Sequence, residues 1–187
     1  MNKSIEQMKN FVDSDTIIVS LMNGIDSEII IDERYGINHI VHTYVIAINA
    51  VREKNIINFK DNGQIVFGNS NGIEDRETGY IKHLFNNTGI TYKISDEILK
   101  KSCWKFMLNV GLNQVSSILN APYGVFSELA PESITSMLQD VRAKRKTEVE
   151  MLSGQVIEFG EKYSVAAPVN NLLYKMIKTI EFANESK

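Results

Sequence analysis

The sequence is short of several things, and each shortage excludes something. Cys103 is its only cysteine, so no intrachain disulfide can form. It sits beside Trp104 in an apolar helical stretch, which reads as a buried structural thiol rather than a nucleophile. No apolar run approaches the roughly 20 residues that a membrane-crossing helix needs. The opening MNKSIEQMKNFVDSD lacks the apolar core of a secretory signal, so a cytoplasmic protein is expected. Positive charge is not in excess: 20 Lys and Arg face 23 Asp and Glu, for a net charge of −3. Nucleic acid is therefore not an expected partner, since its phosphates call for clustered cations. The local cluster Arg142, Lys144, Arg145, Lys146 reads as a solvated helix face. The three histidines, His39, His42 and His83, have no cysteine or metal-ligand spacing around them, so no metal site is expected. No GxGxxG or comparable glycine-rich strand-to-helix turn is present to cradle a pyrophosphate.

What is present suits a globular protein. The 187 residues are 43% hydrophobic and 23% charged, enough for one domain with a sizeable core, or one with a small appendage. Residues 4–12 have helical spacing, with Ser4 as a candidate N-cap. The run TIIVSLMNG reads as a buried strand closed by Asn23-Gly24, and residues 26–35 as a helix ending near Gly36. This α-β-α order is that of the end of a parallel α/β sheet. Residues 38–48 and 63–68 read as two further strands, an antiparallel pair at the edge of the same sheet, separated by the polar stretch REKNIINFKDN. From about residue 74 the pattern turns helical: 74–88 closed by Gly89, a short extended ITYKI, then a long helix from Ser95 to about Asn120, stopped by Ala121-Pro122-Tyr123-Gly124. A single helix is expected over 131–160, with Pro131 near its start, and a last one from Pro168 to about Phe182. The compositional shift near residue 72 suggests a boundary between 1–72 and 73–187.

Lys105, Asn109 and Asn113 fall at i, i+4 and i+8 of the long helix and share one face. Leu108, Leu112, Val115 and Leu119 can form an apolar stripe beside them. Asparagine suits a helix interior poorly, because its amide competes for backbone hydrogen bonds. The stack is either a wet surface or one wall of a cleft where an ammonium and two amides meet a polar ligand. Ser136, Asp140, Lys144 and Glu148 step by four along the next helix, as a surface ion-pair ladder or a second wall. Glu148 and Glu150 flank Val149 and should point to different sides. Asn23 follows a strand, and ligands of open α/β sheets bind beyond strand C-termini; an ordinary Asn-Gly turn is the alternative.

Taken in order, Trp104-Lys105, Asn109, Asn113, Ser136-Met-Leu-Gln-Asp140, Lys146-Thr-Glu148, Gly154 and Pro168-Val-Asn170, preceded by Leu21-Met22-Asn23-Gly24, resemble the ketopantoate reductase (2-dehydropantoate 2-reductase) family. The resemblance covers nearly the whole chain. It implies the remnant of a Rossmann-type α/β sheet over 1–72, followed by a mainly α-helical substrate domain over 73–187. It also implies a 2-keto acid substrate and NADPH as hydride donor. By the same resemblance Lys105 would protonate the keto oxygen, and Asn109, Asn113 and Ser136 would orient the substrate. Glu148 would act on a distal hydroxyl or on the lysine, and Asn23 would lie beside the cofactor. The family's glycine fingerprint has no counterpart here, and Asp26 stands near the place of a family glycine. The expectation is a truncated chain that does not bind NADPH tightly alone and needs a missing cofactor-domain half. A non-catalytic, self-associating module with the same helical fold is the alternative, and a homodimer is expected.

Overall fold

The computed structural model describes residues 2–36, 39–53, 55–126 and 133–185, so Asn38 and Pro131 lie outside the described residues. The chain forms two compact units, Met1–Trp104 and Lys105–Lys187. The compositional shift near residue 72 falls inside the first.

The first unit is a four-stranded sheet in the order β1-β2-β3-β4: β1 (Ile18–Val19), β2 (Ile40–Glu53), β3 (Ile56–Gly68) and β4 (Tyr92–Ile94). β1 and β2 run parallel, β2 and β3 antiparallel, and β3 and β4 parallel. Side chains alternate across a strand, and two neighbouring residues of β2 show this in the core. Ile40 joins Ile5, Ile18 and Ile31, which come in part from α1 (Asn2–Gln7) and α2 (Ser27–Tyr35). Val41 joins Phe67, Ile81 and Phe85, the last two from α3 (Arg76–Thr88). Phe67 meets Phe85 edge to face, with ring centroids 5.6 Å apart at 83°. Helices thus cover both faces of the sheet, and each fully buried side chain contributes about 1.5–3 kcal/mol.

Local chemistry sets the ends of these elements. Asp75 and Thr78 form a reciprocal capping box at the start of α3, and Gly89 ends that helix with a left-handed φ of 70°. Gly68 is required by a close approach: a Cβ there would lie 2.2 Å from the backbone oxygen of Ser95.

Three sequence expectations for this unit are corrected. The first helix spans Asn2–Gln7, with a separate 3-10 turn at Lys9–Phe11, so Ser4 lies inside the helix rather than capping it. The run TIIVSLMNG supplies only a two-residue strand. The polar stretch between the expected second and third strands is, among its described residues, mostly strand: β2 and β3 stay paired out to Glu53 and Ile56. Cross-strand pairing overrides local polarity here. Because β1 reaches only Ile40 and Val41, and β4 only Ile65 to Phe67, the outer part of this hairpin is a two-stranded ribbon among the described residues.

The second unit holds the rest of α4 (Ile98–Leu119), then α5 (Ser136–Arg142), α6 (Gln155–Lys162) and α7 (Pro168–Glu185), with a 3-10 turn at Tyr123–Val125 and a π-turn at Glu150–Gly154. Phe106, Met137, Leu138, Val149, Leu152 and Ile177 are buried. The expected apolar stripe of α4 is not the buried one. Leu108 and Leu119 are exposed, whereas Asn113, Gln114, Ser116 and Ser117 are buried. Burial of polar groups needs partners, and Gln114, Ser116 and Ser117 have them. Ser153 donates to Gln114 Oε1 at 2.5 Å and lies 3.0 Å from Asn170 Oδ1. Ser116 donates to the Ala121 oxygen, and Ser117 to the Asn113 oxygen, each at 2.7 Å. Cys103 is exposed, not buried as expected, and so is its neighbour Trp104.

The single helix expected over 131–160 is also corrected. α5 ends at Arg142, Lys144 takes a left-handed φ of 53°, and the Arg145 N–H closes back on the Asp140 oxygen at 2.9 Å. Arg145 also pairs with the Asp140 carboxylate at 2.8 Å. Helix resumes only near Val149. The four-residue ladder from Ser136 to Glu148 therefore does not exist as a straight row.

Candidate functional site

The break between α5 and the π-turn builds the site. On an unbroken helix, twelve residues would separate Ser136 and Glu148 by about 18 Å. With the chain reversed over Ala143–Lys146, the Ser136 hydroxyl donates to Glu148 Oε1 at 2.5 Å. Asn113, on α4, reaches the same two groups: its Nδ2 lies 3.3 Å from Glu148 Oε1 and 3.5 Å from Ser136 Oγ. Three residues from three segments therefore meet at one carboxylate oxygen. The amide orientation follows, since a carboxylate needs a donor and would repel Oδ1. That leaves Asn113 Oδ1 as a buried acceptor with no hydrogen-bond donor among the described residues.

Lys105 and Asn109 stand two turns and one turn before Asn113 on α4, and both are half-buried. Burial pushes the Lys105 ammonium below its ordinary pKa of 10.5, and the Glu148 carboxylate pulls it partly back. Lys105 therefore lies within the field of the carboxylate that Asn113 and Ser136 hold. Tyr123 belongs with them, although its sequence context marks it only as part of a helix stop. Burial raises its phenol above 10.0, and Glu148 raises it further. No spacing rule connects Tyr123 to Glu148, so nothing in the sequence signalled it. Asp140, expected in the same row, instead turns to Arg145. Burial lifts its carboxyl above the usual range against the pull of that guanidinium. Glu148 and Glu150 do diverge: Glu150 accepts from Tyr174 at 2.8 Å and pairs with Lys178 at 3.1 Å.

Asn23 lies in the first unit, half-buried, four residues past β1, beside Gly24 with its φ of 98°. The turn is braced by Ser20, whose hydroxyl donates to Ser27 Oγ at 2.9 Å. Among the described residues no group of His, Cys, Asp or Glu could hold a metal ion. No described helix is long and apolar enough to cross a membrane.

An ammonium of lowered pKa in the field of a fixed carboxylate can donate a proton and stabilise charge developing on an oxygen. The carboxylate, hydroxyl and amides can orient a small polar molecule.

Comparison with known proteins bears on the family and the fold. Residues 1–72 match the family described as Ketopantoate reductase PanE/ApbA, and residues 125–181 match Ketopantoate reductase PanE/ApbA C terminal. The chain is similar to the 2-dehydropantoate 2-reductase of Aquifex aeolicus, at 25% identity over 97% of this chain and 73% of that one. Its fold is similar to that of the PanE/ApbA family ketopantoate reductase from Ralstonia eutropha, with a TM-score of 0.84 at 16% identity, covering 98% of this chain and 73% of the other. It is also similar to the ternary structure of D-mandelate dehydrogenase with NADH and anilino(oxo)acetate, with a TM-score of 0.83 at 20% identity, again over 98% and 73%. The fold is thus the one expected, an α/β sheet of Rossmann type followed by a mainly helical region. Two family matches in chain order span more than two thirds of the residues, and the relatives align over nearly all of them, so the chain belongs to the ketopantoate reductase family.

Proposed function

We propose that this chain supplies the substrate side of a reductase that converts 2-dehydropantoate to pantoate. One observation carries the reading: Asn113, Ser136 and Glu148 converge on one carboxylate oxygen, with Lys105 in its field. In this reading Lys105 hydrogen-bonds the keto oxygen and gives it a proton as negative charge develops there. Its lowered pKa makes it a better acid than an ordinary lysine. Asn109, Asn113 and Ser136 orient the keto acid, and Glu148 accepts from a substrate hydroxyl or steadies the Lys105 ammonium. The unpartnered Asn113 Oδ1 is an acceptor suited to a ligand hydroxyl.

NADPH, when bound, supplies the hydride. The residues present fit only part of it. Asn23, past the end of β1, is where this chain would meet the nicotinamide. The turn from Ser20 to Asp26 holds one glycine, Gly24, and the 187 residues contain no glycine-rich cradle for a pyrophosphate. The reading therefore includes a partner half carrying that cradle, weak NADPH binding by this chain alone, and a division of labour near residue 72. The exposed Cys103 thiol suits the reducing cytoplasm.

The test is a reductase assay with 2-dehydropantoate and NADPH, with and without a cofactor-domain half. Turnover is expected only with it, and Lys105→Ala should lower kcat by about 10²–10⁴-fold. Wild-type turnover in that variant refutes the assigned role. One observation favours a second reading, self-association without catalysis: Ile48, Ile56, Ile57 and Phe59 are all more than half exposed on the β2–β3 ribbon. A two-stranded ribbon is marginally stable alone, and pairing with a second copy would cover it. Light scattering that finds a monomer at all concentrations removes this reading.

A further inference from the structure

Behind Glu148 lies a buried acid that the proposed reaction does not use. Glu181, on α7, is 8% exposed, and Thr147, which it holds, is 7% exposed. Glu181 Oε1 accepts from both the Thr147 N–H and the Thr147 hydroxyl, each at 2.7 Å. Thr147 Oγ1 in turn accepts from the Val149 N–H at 3.3 Å, so the residues on both sides of Glu148 are tied to one point. Lys178 pairs with Glu181 at 3.0 Å and with Glu150 at 3.1 Å, and Tyr174 donates to Glu150. Tyr174, Lys178 and Glu181 share one face of α7 at i, i+4 and i+7. Together they hold Thr147 and Glu150 directly, and the Val149 N–H through Thr147 Oγ1, and leave Glu148 as the side chain that turns to Asn113 and Ser136.

Backbone hydrogen bonds close the reversal at Ala143, Lys144 and Arg145, but it buries no side chain of its own. Ala143, Lys144, Arg145 and Lys146 are all exposed. The Asp140–Arg145 pair fixes its start, and the capture of Thr147 fixes its end. A buried carboxylate is a costly way to fill space. An apolar side chain of similar volume often packs as well or better, but it could not accept two hydrogen bonds from Thr147.

We propose that Glu181 is a positioning residue, which acts through Thr147 to aim Glu148 at the keto-acid site; this rests on the reading of Glu148 given above. Burial opposes the charge on Glu181, but the Thr147 hydrogen bonds and Lys178 hold its carboxyl below the usual 4.5.

The experiment uses the full chain, ¹⁵N-labelled, with Glu181→Met and Glu181→Gln variants. The reporter is the side-chain amide of Asn113, which donates to Glu148 and Ser136. The amide of Asn87, beside His83 in the first unit, is the internal control. Glu181→Met should fold, shift the Asn113 amide signals and leave those of Asn87 in place. Glu181→Gln, which keeps an acceptor for Thr147, should restore most of the wild-type signal positions. With a cofactor half supplied, kcat should fall about 10²-fold in Glu181→Met with little change in KM, and recover in part with Gln. A folded Glu181→Met protein with unmoved Asn113 signals overturns the proposal. If that variant does not fold, Thr147→Val gives the same readout, and unmoved Asn113 signals there overturn it equally. Shifted Asn113 signals in a system whose wild type shows no turnover would sink the reductase reading and leave the positioning role standing.

Discussion

Replacing Asn113 in two ways tests the junction at the centre of the site. Asn113→Ala removes two long hydrogen bonds, at 3.3 and 3.5 Å, together with an acceptor that has no partner. Typical hydrogen bonds contribute about 0.5–1.5 kcal/mol each, and an unsatisfied buried group costs about 1–3 kcal/mol, so these effects nearly cancel. The alanine variant should lie within roughly 2 kcal/mol of wild type. Asn113→Asp is close in shape but places a second carboxylate where Nδ2 now donates. At 3.3 Å and an effective dielectric constant of about 20, two unit charges repel by roughly 5 kcal/mol. Uptake of one proton relieves part of this, at a cost of about 1.4 kcal/mol for every tenfold rise in proton affinity that it requires. At pH 8 the aspartate variant should be less stable than the alanine variant by about 2–4 kcal/mol. The gap should close as acid protonates one of the two carboxyls. Urea denaturation followed by circular dichroism at pH 8 and pH 5 measures both. Equal stability of the two variants, with no pH dependence of the difference, would mean that Asn113 does not face Glu148.

Four other outcomes follow from the structure. Lys105 has a lowered pKa, so between its folded value and 10.5 the unfolded chain binds the extra proton, and its contribution to stability rises with pH across that window. Glu148→Gln removes the charge that pulls Lys105 upward, so an NMR titration of the lysine should find its pKa lower still; an unchanged value contradicts the pairing. Asp75→Ala removes the cap of α3 and should cost about 1 kcal/mol in denaturant titration, whereas a change near zero would show that the capping box contributes nothing. Gly68→Ala drives a Cβ against the Ser95 backbone and should cost about 1–3 kcal/mol in thermal unfolding; a neutral result would mean that β3 moves freely there.

The sequence showed some parts of this molecule well. Gly36, Gly89 and Pro168 punctuate helices where expected, because their backbone preferences act locally. The Lys105–Asn109–Asn113 face was legible because α4 is one unbroken helix. The relation of Ser136 to Glu148 was legible only as a resemblance. Periodicity placed them on one straight helix, and the actual contact depends on Lys144 adopting a left-handed conformation that is uncommon for a non-glycine residue. The outer paired part of β2 and β3 was missed because pairing partners, rather than composition, decide strand length. Glu181 and Tyr123 were not found, because each meets the site through tertiary contact across more than 20 residues.

The most direct test of the central claim is an NMR titration of the labelled chain with 2-dehydropantoate, up to about 10 mM, above the usual KM range of roughly 1 μM–1 mM. Saturable changes in the signals of the Lys105 side chain and the Asn113 amide, abolished in Lys105→Ala, are the predicted result. Saturable binding that leaves Lys105 and Asn113 unmoved, or no change at any concentration, would contradict it.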